Sequence, residues 1–125
     1  MARGANRRKL EEPSIAIGST ASSGATGESD NAANYDRVMY LINVTTLTAG
    51  NVTFVIQVSP NDGTTWFPLT TAEMVGNTGA LTTTGQYHVS STVPFGTRVR
   101  LAYTIVTGPV AMTVFPVFEK SGSVY

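Results

Sequence analysis

Residues 97–106 read Thr-Arg-Val-Arg-Leu-Ala-Tyr-Thr-Ile-Val, and this alternation constrains the chain more than any other feature. Successive side chains of an extended strand point to opposite faces, so Val99, Leu101, Tyr103 and Ile105 share one face and Arg98, Arg100, Ala102 and Thr104 the other. A period of two selects a half-buried strand over an amphipathic helix. Strands are also predicted over 37–45, 52–59, 64–70 and 110–118, with shorter ones over 80–84 and 87–91. Pro68 and Pro116 interrupt two of them, and Pro68 suggests an edge or a bulge. Pro-Asn-Asp-Gly at 60–63, Gly-Asn-Thr-Gly at 76–79 and Thr-Gly-Pro at 107–109 supply turn chemistry between them. No window carries a capped 3.6-residue stripe, and residues 70–75 allow one helical turn at most. The pattern predicts an all-β antiparallel β-sandwich, or jelly-roll-like domain, over residues 35–125.

The first 34 residues differ in character. Residues 1–12 are polar and charged, Pro13 to Gly18 make a short apolar patch, and residues 18–34 are almost entirely small or polar. Such a composition cannot repay its ordering entropy by burial. Residues 1–34 therefore read as a flexible N-terminal arm, free to order on a partner. Ser14, Ile15, Ala16 and Ile17 are the segment expected to add as a strand to a neighbouring subunit.

Two strands carry apolar side chains on both faces. Val38, Tyr40, Ile42 and Val44 define one face of the 37–45 strand, and Met39 and Leu41 sit opposite. Val110, Met112, Val114 and Phe118 define one face of the 110–118 strand, with Ala111, Phe115 and Val117 behind. A domain of about 90 residues has too little interior to cover both faces of several strands. The surplus at Met39, Leu41, Phe115 and Val117 calls for cover by the arm, a loop or another subunit, and a subunit contact is the favoured reading.

Composition narrows the function. Charged residues are 13% of the 125-residue chain, about half the usual fraction of roughly 25%, so the surface is built from Thr, Ser, Asn and Gly. Such a surface suits a protein packed against neighbours. Formal net charge is zero, which gives no pull toward nucleic acid or an anionic membrane. The basic cluster Arg3, Arg7, Arg8 and Lys9 lacks interleaved aromatics for stacking bases, so nucleic acid is not an expected partner. No cysteine is present, which removes thiolate metal sites and Cys nucleophiles. His88 is the sole histidine. The eight acidic residues include no pair spaced on one strand as catalytic carboxylates would be. No catalytic residue, metal site or cofactor is expected. The N-terminus has neither the apolar core of a secretory signal nor a membrane span. The matches Asn43-Val44-Thr45 and Asn51-Val52-Thr53 to the glycosylation pattern are therefore read as coincidental.

The segment Ser59-Pro60-Asn61-Asp62-Gly63-Thr64-Thr65-Trp66 reads as a hairpin whose Asn and Asp side chains bond their own backbone and whose Gly63 tolerates positive φ. Trp66 is expected to re-enter the core and staple the turn. Ser59, Asn61, Gly63, Thr65 and Trp66 resemble the Asp-box pattern Ser-x-Asp-x-Gly-x-Thr-Trp, with Asn61 where the family has Asp. In that family the motif is a structural hairpin and usually recurs in β-propellers, for which this chain is too short. The hairpin, the later Thr97-Arg98-Val99-Arg100-Leu101 strand, the Thr107-Gly108-Pro109 turn and the closing Thr/Val/Phe strand also resemble small structural proteins of tailed phages. The resemblance spans about residues 52–118. It implies a capsid decoration (cement) protein or a head–tail protein, made in the host cytoplasm and carried in the virion. The capsid protein and further copies of the chain, by analogy in a homotrimer, would be its partners. A carbohydrate- or receptor-binding module and a tail-tube or connector subunit are the alternatives.

Overall fold

The computed structural model describes residues 8–29, 35–93 and 96–120. Its strands, in chain order, are β1 (Arg8–Glu11), β2 (Ile15–Thr20), β3 (Gly24–Ser29), β4 (Arg37–Leu47) and β5 (Gly50–Ser59). β6 (Phe67–Pro68), β7 (Met74–Gly76), β8 (Gly85–Ser91), β9 (Arg98–Thr107) and β10 (Val110–Lys120) follow. They form two antiparallel sheets. The six-stranded sheet runs β1-β10-β4-β8-β7, with β2 also on β10, and the four-stranded sheet runs β3-β9-β5-β6. The chain passes between sheets at β2–β3, β3–β4, β4–β5, β6–β7, β8–β9 and β9–β10.

The alternation in the sequence sets the core. Val38, Tyr40, Ile42 and Val44 of β4 and Val110, Met112, Val114 and Phe118 of β10 are buried, together with Val52, Phe54 and Ile56 of β5 and Val99, Leu101 and Ile105 of β9. Between residues 64 and 70, Phe67 and Pro68 pair with Val58 and Gln57, and the Leu69 amide donates to the Ile56 carbonyl at 2.8 Å. Residues 80–84 contribute one bridge, Leu81 to Val52. The short strand β7, which follows a 3-10 turn at Thr71–Glu73, carries no periodic signal that a sequence reading could find.

Residues 8–29 do not stand off as an arm. Strands β1 and β2 line one edge of β10, and β3 pairs with β9. Ser14 lies between β1 and β2, and Ile15, Ala16 and Ile17 face Val114, Thr113 and Met112 of their own chain. Composition registers side chains alone. A strand laid on an open edge also satisfies backbone N–H and C=O groups, its own and its neighbour's. Leu10 and Ile17 add half-buried apolar contact with the core. Residues 1–7 and 30–34, also assigned to the arm, lie outside the described residues.

The prolines mark where this edge breaks. The Glu12 amide donates to the Pro116 carbonyl at 3.1 Å. In an antiparallel ladder a residue's N–H and C=O point to the same neighbour, so the N–H that Pro116 lacks would have faced the edge and not β4. Five residues there (Glu11 to Ile15) span four of β10 (Val117 to Val114), a bulge that holds Pro13. A central proline thus costs the sheet no bond to β4. A second slip falls in β3 between Thr26 and Ser29. Gly27 sits there at φ 71°, and a Cβ on it would lie 2.9 Å from Cε1 of Tyr40. Positive φ and the close ring both select glycine.

Candidate binding faces

The outer face of the six-stranded sheet carries the apolar surplus in register. Phe115 lies opposite Leu41, and Val117 opposite Met39. The same rows continue to His88 and Ser90 of β8, and Val75 of β7 lies beyond Ser90. Leu41 is 39% exposed, Phe115 42% and Val75 55%, while Met39 and Val117 are half-buried. Three shallow depressions follow the stripe. The largest, about 390 Å³, is lined by Leu41, Ile42, Asn43, Gln86, Tyr87 and Phe115. One of about 200 Å³ lies between Met39, Val117, Arg37 and Glu119, and another of about 200 Å³ between Leu41, Phe115, Glu11 and Glu12. Four of the partner-binding residues expected from sequence, Met39, Leu41, Phe115 and Val117, thus form one patch. Ser14 to Ile17 belong to the adjoining edge. Val75 was missed because β7 is too short to show a period.

The hairpin after β5 is a closed polar network. Ser59 Oγ accepts from the amides of Asn61 (3.3 Å) and Gly63 (2.8 Å) and donates to Asn61 Oδ1 (3.0 Å). Asn61 Oδ1 accepts from the Thr65 amide at 2.8 Å, and Asn61 Nδ2 donates to Thr65 Oγ1 at 3.1 Å. Thr97 Oγ1 closes the turn by accepting from the Asp62 amide at 2.8 Å. Asp62 and Gly63 have positive φ, 58° and 87°. Asn61 supplies the carbonyl acceptor that a carboxylate would supply, and its amide group donates as well.

Trp66 does not enter the core. It is half-buried on the outer face of the four-stranded sheet, where the Arg100 guanidinium carbon lies 4.1 Å from its ring centroid. Arg100 Nε donates to Gln57 Oε1 at 2.7 Å, and Arg98 Nη1 pairs with Glu28 at 3.0 Å. The alternation of β9 points both arginines outward, and the hairpin delivers Trp66 to the same face. Sequence spacing could place Arg98 and Arg100 together, but not beside a tryptophan from another element.

Two further polar contacts involve the N-terminal strands. Ser29 Oγ donates to Glu12 Oε2 at 2.8 Å, and the buried Tyr40 hydroxyl donates to the Gly27 carbonyl at 3.3 Å. Burial, with the Glu12 charge adding to it, pushes the Tyr40 phenol far above its ordinary range, so it stays a donor. His88 is exposed, and its backbone amide donates to Asn77 Oδ1 at 3.0 Å. Among the described residues no three His, Cys, Asp or Glu side chains group as metal ligands, and no helix is long and apolar enough to cross a membrane. Comparison of the chain with protein-family models, with curated proteins and with solved structures gives no match.

Proposed function

We propose that the chain is a virion structural protein, a capsid decoration protein whose six-stranded sheet docks on a capsid shell and stabilises it. The observation that carries this reading is the in-register stripe of Met39, Leu41, Phe115 and Val117 on an outer sheet face. The opposite face of the same strands supplies the buried core, and these four side chains lie outside it. The sheet orders support the reading at the level of architecture. Orders of β2-β10-β4-β8 and β3-β9-β5-β6 suit a jelly-roll connection, an arrangement used by viral capsid and lectin domains. Phe115, Leu41 and Val75 are the exposed large apolar side chains of this face, a small patch. A stable pairwise interface needs about 800 Å² per partner. A small patch of this kind suits a protein bound at many equivalent sites on a large shell, with the surrounding rim and neighbouring copies sharing the contact.

The test is to heat or dilute purified particles that carry or lack the chain. Earlier rupture of the particles lacking it is expected; identical rupture curves would end the proposal. Sedimentation of the free chain tests the proposed homotrimer. A lectin-like reading has one observation in its favour, the part-exposed Trp66. Its ring already carries Arg100, which leaves a poorer platform for a sugar, and a glycan array decides the matter.

A further inference from the structure

We propose a second site on the opposite side of the sandwich: a carboxylate-binding site centred on Arg100 that receives an Asp or Glu side chain of an acidic polypeptide. Arg100 is positioned before any ligand arrives. Its guanidinium lies over the Trp66 ring at 4.1 Å, and its Nε is tied to Gln57 at 2.7 Å. Stacking and the Gln57 bond fix the plane of the group and leave the two Nη nitrogens to present a fork. A planar fork of this kind matches a carboxylate through two parallel hydrogen bonds. The usual entropy cost of ordering a long arginine side chain has already been met in the free protein.

The charges around the fork select the ligand. Arg98 is paired with Glu28 at 3.0 Å, and among the described residues Arg100 has no carboxylate partner of its own. A single carboxylate balances its charge. A dianionic phosphate would exceed the single positive charge of the guanidinium. The next row of the sheet aligns Val55, Ala102 and Ala25. These give an open, mildly apolar strip beside the fork, suited to an extended chain with an acidic residue followed by small or aliphatic ones. The hairpin acquires a role here. A Cβ on Gly63 would lie 3.4 Å from Trp66 Cζ2 and 3.3 Å from Glu28 Oε2, so the turn packs against the group that carries Arg100.

Trp66 is the only tryptophan of the chain, which makes its fluorescence a reporter of this site. The intact protein is titrated with a short Glu/Ala peptide, and with acetate and inorganic phosphate separately. A saturable change in Trp66 emission with the peptide, displaced by acetate and weakened by added salt, is expected. Calorimetry with Arg100→Lys and Arg100→Gln is expected to show at least a tenfold loss of peptide affinity, and with Gln57→Leu a loss of several-fold. Melting curves establish that each variant is folded. Using both substitutions, together with competition on the unaltered chain, keeps the test decisive should one variant fail to fold. Emission that does not respond to the peptide, equal affinity in folded Arg100→Gln, or displacement by phosphate at lower concentration than by acetate would overturn the proposal. None of these measurements involves a capsid, so the result stands apart from that of the docking face.

Discussion

Phe115 and Phe118 lie three residues apart on β10 and point to opposite faces, so truncating each to alanine separates core from docking surface within one strand. Phe118 is fully buried and its ring centroid lies 6.0 Å from that of Tyr35. A phenylalanine buries roughly 200 Å² when fully enclosed. At about 25 cal/mol per Å² this is worth about 5 kcal/mol, the upper end of the range of roughly 3–5 kcal/mol for such truncations. Phe115 is 42% exposed, so the same scaling leaves no more than about 3 kcal/mol in the free chain. The remaining ~2 kcal/mol, a factor of about 30 in affinity, is available only on docking. Urea denaturation of the isolated chain measures the first quantity. Phe118→Ala is expected to lose clearly more stability than Phe115→Ala, with unchanged m-values. Particle binding measures the second, where Phe115→Ala is expected to weaken attachment about 30-fold. Equal losses of stability at the two positions would show that Phe115 is enclosed within the free protein, and the docking argument would fail with it.

Other outcomes follow from the same geometry. Deleting residues 1–20 strips β1 and β2 from β10 and bares a long edge, so the shortened chain is expected to melt earlier and to aggregate on light scattering. Asn61→Ala removes the acceptor of the Thr65 amide and is expected to cost about 1–2 kcal/mol by thermal melting, whereas Asn61→Asp retains that acceptor. Tyr40 keeps its proton in the folded state far above its ordinary value. The associated stability is complete below the unfolded pKa of about 10 and drains away as pH rises past it. An alkaline loss of stability is thus expected between about pH 10 and 12, and Tyr40→Phe should flatten that limb of the curve. Gly27→Ala puts a Cβ 2.9 Å from the Tyr40 ring at φ 71° and is expected to cost about 1–3 kcal/mol, read as a lowered urea midpoint.

Local order along the chain was sufficient to assign the strands β4, β5, β9 and β10 and to say which side chains each turns inward. Pleating imposes a period of two whatever the neighbours are, so Val38, Tyr40, Ile42 and Val44 declare themselves without a partner strand. The same rule exposes Met39, Leu41, Phe115 and Val117 as a surplus. What the rule cannot supply is which strands become neighbours. Only the folded chain aligns Phe115 with Leu41, adds Val75 from a three-residue strand, and lays Trp66 under Arg100 from a different element. It also decides the fate of residues 8–29. Their side chains bury little, but backbone pairing along β10 and β9 holds them, and that pairing exists only once distant strands have built an edge to receive it.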